Sequence, residues 1–262
     1  MSGPNRVIRV GAVSFTNTVP LIHTLDRPGS PAVELSLSPP AQLADRLAAG
    51  EIEVGLIPVV EHFRSGKYRL ITSVGICSRG PVESVNVYCR KPVGEVSTLA
   101  ADVRSRTSVA LAKVWFAHAR RRRIKVIETF DPTTGTAARA DAVLVIGDAN
   151  WKFPRTGWVD VIDLGAAWHE LTGTGFVYAG WSARPELDES DTAALSQRLT
   201  SAKMAGVAAV RELARRAAVG AGVAPERVEH YLTRCIRFDI EEPERRGMEL
   251  FREWCGGLGL LP

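Results

Sequence analysis

The chain has 262 residues, 45% apolar and 24% charged, a balance that supports a sizeable folded core and excludes a disordered or low-complexity chain. Its length fits one large domain or two modest ones. A formal charge of +4 with a pI near 9.0 favours anionic ligands through the general field without naming one, and no apolar run reaches membrane-spanning length.

In chain order, Val7 to Val13 is a β-branched run that predicts a strand, closed by the polar turn Ser14-Phe15-Thr16-Asn17. Thr18 to Leu25 follows as a helix, with Pro20 tolerated in its first turn. Val33 to Leu37 alternates like a strand, Pro39-Pro40 ends it, and Ala41 to Ala49 is helical up to Gly50. Val54 to Ile57 is a buried strand, Val59 to Phe63 opens a helix, and Tyr68 to Val74 is strand-like. This β-α-β-α-β rhythm predicts an α/β fold with a mostly parallel sheet flanked by helices. Ser84 to Cys89 is a further strand, and Arg90-Lys91-Pro92 reads as a crossover, after which the rhythm restarts. Ser108 to Ala119 is the strongest helix, opened by Ser105-Arg106-Thr107. Val126 to Glu128 and Ala142 to Ile146 are strands, with a short turn-helix at Thr133 to Arg139. Val159 to Leu164 and Phe176 to Trp181 are strands around a helix from Ala166 to Leu171. Ser190 to Ala218 is one long helical stretch or two helices. Pro225 to Leu232 carries proline at its first helical position, and Pro243 to Leu258 is amphipathic. Two chain crossings divide this pattern into a first lobe, 1–90 with 182–262, and an inserted second lobe, 91–181. The ligand is expected in the cleft between them, outside the carboxyl ends of the strands.

The polar segments at strand ends are the candidate site. Ser14, Thr16, Asn17 and Thr18 follow the first strand, where side-chain donors and helix-start N–H groups suit a carboxylate or hydroxyl; an ordinary helix cap would use the same residue types. Pro58 ends another strand, and Glu61 beyond it is either a base or a complement to its helix dipole. Gly80-Pro81-Val82-Glu83 fixes a turn before Ser84, which is either a donor from the cleft floor or a plain strand-edge serine. Arg106, Thr107 and Ser108 open the strongest helix as an anion cradle, with capping the alternative. Gly147-Asp148 ends the very apolar strand, where Asp148 either binds a hydroxyl or caps a turn, and Thr172-Gly173-Thr174-Gly175 precedes the last strand.

Other chemistries lack their residues. The sequence has no Gly-x-Ser-x-Gly elbow, no His-Glu-x-x-His and no nucleotide loop. His23, His62, His118, His169 and His230 are dispersed over helix patterns, and Cys77, Cys89, Cys235 and Cys255 form no Cys-x-x-Cys pair, so no metal is expected. The run Arg120 to Arg123 has no interleaved aromatics and reads as a solvated helix end, not a nucleic-acid patch. Met1 to Arg6 leads directly into a strand without an export segment, so a cytoplasmic location with reduced thiols is expected.

Six segments in order carry a family resemblance. They are Arg9-Val10-Gly11 through Asn17 and Pro20; Gly50 through Pro58; Gly80 through Val85; Ser105 through Leu111; Ile146-Gly147-Asp148; and Thr172 through Trp181. Together they resemble the menaquinone-biosynthesis enzymes of the futalosine pathway, across nearly the whole chain. The resemblance implies a two-lobed fold similar to the type II periplasmic binding proteins. The Ser105-to-Val109 helix start and the strand Phe176-Val177-Tyr178-Ala179 favour the branch that dehydrates chorismate over the branch that makes 1,4-dihydroxy-6-naphthoate. The implied reaction removes the C4 hydroxyl and C3 proton of chorismate to give 3-[(1-carboxyvinyl)oxy]benzoate, and aromatisation makes it downhill without a cofactor. Implied roles are one carboxylate on Thr107 and Ser108, the other on Ser84, and Asn17 as donor at the leaving hydroxyl or the C3 region. Asp148 holds a polar edge, and Ser14, Thr16, Thr18, Pro58, Arg106 and Gly147 line the ligand. No His or Lys lies in a matched segment, so the substrate's own enolpyruvyl carboxylate is the implied base. Phe15 stands where the family often has Tyr, and Thr174-Gly175 where it often has Leu-Pro; Phe15 receives no role. A non-catalytic solute-binding protein on the same scaffold is the competing reading, and a regulator's sensing domain ranks below it, since no helix-turn-helix precedes residue 7.

Overall fold

The computed structural model describes residues 6–135 and 139–262. Its strands in chain order are β1 (Val7–Val13), β2 (Ala32–Ser38), β3 (Val54–Pro58), β4 (Arg69–Ser78), β5 (Val85–Cys89), β6 (Thr98–Asp102), β7 (Lys125–Phe130), β8 (Ala142–Ile146), β9 (Asp160–Asp163), β10 (Phe176–Ala183) and β11 (Arg237–Asp239). Its α-helices are α1 (Val19–Ile22), α2 (Pro40–Ala49), α3 (Val59–Ser65), α4 (Thr107–Arg120), α5 (Leu164–Thr172), α6 (Glu189–Ala208), α7 (Val210–Ala221), α8 (Pro225–His230) and α9 (Glu242–Gly257). Among the described residues no helix is long and apolar enough to cross a membrane.

The chain forms two compact units. The first runs through Cys77 and takes up again over Val177–Glu241; the second is Ser78–Phe176 with Glu242–Pro262. The first unit is built on a six-stranded sheet in the order β11-β4-β10-β3-β1-β2. Its centre reads as the sequence does: β1 pairs in parallel with both β2 and β3, through right-sized helical connections. Proline opens α2 and Gly50, at φ 77°, closes it by returning its N–H to the carbonyls of Arg46 and Leu47. Ile8, Val10, Leu21, Leu25, Leu43, Leu47, Val54 and Leu56 are fully buried, each such side chain contributing about 1.5–3 kcal/mol.

The second unit has a five-stranded sheet, β7-β6-β8-β5-β9. Tyr88, Ala100, Val143, Val145 and Phe153 pack as one cluster, with the Tyr88 and Phe153 rings 4.7 Å apart. Helix α9 closes this unit: fully buried Phe251 meets Phe176 and Trp168 edge-on at 4.9 and 6.0 Å. The Glu244 carboxylate of α9 is completely buried and is gripped in bidentate fashion by Arg79, at 2.9 and 3.0 Å.

Several expectations change. Both sheets are mixed, not mostly parallel, because β10 joins β3 antiparallel and β5 joins β8 and β9 antiparallel. The rhythm of the sequence does not carry strand direction across a long connection. Residues 78–90 fall in the second unit, since β5 is paired on both sides within that sheet, and the C-terminal helix falls there through Phe251. Strands β6 and β11 were not anticipated; Thr98–Asp102 is five residues without alternation, and Arg237–Asp239 is only three. The stretch from Ser190 to Ala218 is two helices, broken at Ala209 (φ −95°, ψ 11°) amid good helix formers. The turn-helix expected at Thr133 to Arg139 lies partly outside the described residues. Arg121 ends α4 in the left-handed region, and Arg120 lies over the Trp115 ring at 5.1 Å, as suits a solvated helix end.

Candidate functional site

In the first unit, parallel pairing of β1 with β3 brings the segments after both strands to one end of the sheet. Ser14 leaves β1 with its N–H on the Ser38 carbonyl, and Thr16–Thr18 form a single 3-10 turn. Thr16, Asn17 and Thr18 are buried, whereas Ser14 is exposed. Phe15, which precedes the turn, makes no side-chain cap, so capping does not explain the polar run. Asn17 is fixed from both sides: its amide donates to the Tyr231 hydroxyl at 3.3 Å, and its carbonyl accepts from the Thr18 hydroxyl at 3.4 Å. Tyr231, fully buried, begins a π-helical turn, Tyr231–Cys235, that continues α8. Pro58 pairs with Ala179, which brings Tyr178 to the same end. Glu61 lies in the first turn of α3 and pairs with Arg64 one turn on at 2.6 Å.

In the second unit, four elements deliver polar groups to one end of the sheet. Ser84, 2% exposed, enters β5; β5 runs antiparallel to β8, so Gly147 emerges beside it and donates its N–H to the Ser84 carbonyl at 2.8 Å. Strand β6 is parallel to β8, so its connection to α4 arrives at the same end with Arg106, Thr107 and Ser108. Arg106 occupies the N-cap position without a side-chain cap bond, so neither Thr107 nor Ser108 has the capping role. Thr107 and Ser108 are nevertheless buried, and the adjoining Ser105 hydroxyl oxygen is buried with no hydrogen-bond partner. Strand β9 ends here too, at Asp163, which caps α5.

Asn150, fully buried, ties these segments together. Its amide nitrogen lies 2.8, 3.0 and 3.2 Å from the carbonyls of Ser84, Val145 and Gly147, and its oxygen accepts from Asn86 at 3.0 Å and Tyr88 at 3.1 Å. Asp102 anchors the other flank. It takes a bidentate pair from Arg104 and the backbone N–H of Ile146. Burial lowers the Arg104 pKa, but its bonds and attraction to Asp102, and the charges of Asp131 and Asp148, outweigh this and raise it overall. Half-buried Asp148 thus faces a fixed cation.

Thr172 and Thr174 serve the structure instead. Thr172 Oγ1 donates to the Trp168 carbonyl at 2.8 Å, and the Trp168 indole N–H reaches Thr174 Oγ1 at 3.0 Å. Tyr231, Asn150, Asp163, Asp102 and Arg104 were not singled out in the sequence. Only Asp163, directly before a helix, has a readable signal, that of an N-cap; Asp102 and Arg104 pair with each other two residues apart, and Tyr231 and Asn150 act through distant partners. All four cysteines are buried and unbridged, and burial, helped by Asp160, pushes the Cys89 thiol up to about 12.

The two α/β units, each presenting polar loops at one end of its sheet, define a protein with the periplasmic-binding-protein fold. Solved structures with this likeness include a protein from Archaeoglobus fulgidus, at TM-score 0.80 and 16% identity over 97% of this chain and 98% of that one. The periplasmic aliphatic sulphonate binding protein SsuA from Escherichia coli aligns at TM-score 0.67 and 15% identity, over 99% and 94%. A Candida albicans protein described as having the generic periplasmic binding protein fold aligns at TM-score 0.66 and 9% identity, over 96% and 90%. The model of the menaquinone biosynthesis family matches residues 8–256, and the chain belongs to that family. It is also 29% identical over 262 residues to the chorismate dehydratase of Thermus thermophilus, covering 94% of each chain.

Proposed function

We propose that the protein is a chorismate dehydratase, a hydro-lyase of menaquinone biosynthesis acting in the cytoplasm. The observation that carries this reading, within the family it belongs to, is the convergence of Ser84, Thr107, Ser108 and the start of α4 at one end of the second unit's sheet. Hydroxyls and helix-start N–H groups there suit carboxylates, and the polar sheet end of the first unit offers Asn17 as an amide donor. In this reading Thr107, Ser108 and the Arg106 segment hold one carboxylate of chorismate, and Ser84 holds the other. Asn17, with Ser14, Thr16, Thr18 and Pro58 around it, donates to the C4 oxygen as it leaves. Gly147 and Asp148 border the ring.

The C3–H electrons form the C3–C4 double bond as the C4–O bond breaks. The proton passes to the enolpyruvyl carboxylate of the substrate, and the departing C4 hydroxide recovers it from the carboxylic acid so formed, so that one water is lost and the carboxylate is restored. The protein holds the dianion in the eliminating pose and shields it from competing fates. Glu61, engaged by Arg64, suits a structural role better than that of a base.

The test is incubation with chorismate, following the rise of benzoate absorbance. Wild type and the Glu61→Gln/Glu83→Gln variant are expected to turn over, and Asn17→Ala and Ser84→Ala to lose about 100-fold in kcat. Loss of turnover with retained binding in the double Gln variant would establish a protein base. Binding of chorismate by the wild type without conversion would favour a solute receptor instead.

A further inference from the structure

We infer that Asp163 is a positioning residue for Ser84; the inference rests on the dehydratase reading and deepens it. Ser84 leaves an unusual turn. Gly80 sits at φ 108° and Glu83 at φ 59°, and the Ser84 N–H closes back on the Val82 carbonyl at 2.7 Å. Glycine takes such a φ freely, whereas the Cβ of a glutamate opposes it, so contacts outside the turn must hold it. Asp163 supplies them. The Val82 N–H lies 3.1 Å from both carboxylate oxygens, and the Glu83 N–H donates to Oδ2 at 2.6 Å. Asp163 Oδ1 also accepts from Gly165 and Ala166, at 2.9 and 3.0 Å, which caps α5. One carboxylate therefore locks the left-handed turn to the helix end. It sits on β9 in register with Asn86, two residues beyond Ser84, and the Asn86 amide holds the Glu83 carbonyl at 2.9 Å. These charge-assisted bonds set where the Ser84 hydroxyl stands relative to the sheet. A shift of about 1 Å at such a group is enough to cost orders of magnitude in rate.

Asp163→Asn separates the two jobs of the carboxylate. Asparagine still caps α5 through its remaining oxygen, but its NH2 group confronts the Glu83 N–H, donor against donor. The experiment compares the full-length wild type with Asp163→Asn, Ser84→Ala and the double variant, measuring kcat and KM on chorismate, the thermal midpoint and amide exchange. Asp163→Asn is expected to lower kcat about tenfold or more with a thermal midpoint within about 4 °C of wild type. Exchange should accelerate at Val82 and Glu83 but not at Gly165 and Ala166. The double variant should be no slower than Ser84→Ala alone, because the two act through one group. If Ser84→Ala is impaired while Asp163→Asn turns over as wild type, or if their losses multiply in the double variant, the positioning role is wrong and the dehydratase reading stands. If Ser84→Ala turns over as wild type, the assignment of Ser84 fails first, and the role of Asp163 falls with it.

Discussion

Asn150 shows how much a single side chain can hold when every one of its polar atoms is used. It reaches three carbonyls and accepts from two donors in a site without solvent access, so removing it orphans several buried groups at once. Asn150→Ala is expected to cost roughly 2–5 kcal/mol by urea unfolding, and to impair chorismate turnover through the loosened Ser84 and Gly147 backbones. Cys89 makes the opposite point. A thiol pushed up to about 12 by burial stays protonated at neutral pH, so the native protein should resist thiol reagents and the urea-unfolded protein should react. At this scale the sequence was partly legible. Asn17 and Ser84 stand beside turn residues at strand ends, which singled them out. Nothing local marks Asn150 or Tyr231, whose partners lie as far as 214 residues away in the chain.

Elements are placed here by close backbone approach. In α9, a Cβ on Gly247 would stand 1.8 Å from the Gly175 carbonyl oxygen, and backbone cannot move aside as a flexible side-chain end can. Gly247→Ala should therefore destabilise by about 3 kcal/mol, whereas Gly256→Ala in the same helix, with open space around it, should be neutral or stabilising by about 0.5 kcal/mol. Paired urea melts check both. Strands and helices with strong local signals were readable: β1 and β8 have the expected bounds, and Gly50 ends α2 as expected. β6 was missed although it lies inside its sheet. A buried strand carries no alternation, and Thr98–Asp102 is too short to be told from loop by composition.

For the whole molecule, acid stability follows from paired carboxylates. Burial pushes the Asp141 carboxyl up, but bonds from Lys91, Ser97 and Thr98 outweigh it and hold the group well below the usual carboxylate range. A depressed folded-state value means stability that is fully present above about pH 4, the ordinary aspartate value, and lost as pH falls through the folded one. The thermal midpoint of Asp141→Asn should lie below that of wild type at pH 7, with the gap narrowing below about pH 4. Composition, the strand-helix rhythm and six ordered segments were enough to indicate the α/β fold and the family, because these are set by local periodicity and by turn residues that act on their own neighbours. Strand direction, the partition of β5 and α9 between units, and the partners that orient Asn17 and Ser84 were decided only in the folded molecule. They depend on hydrogen bonds and packing between residues remote in sequence, and no local pattern records which distant group will satisfy a buried donor.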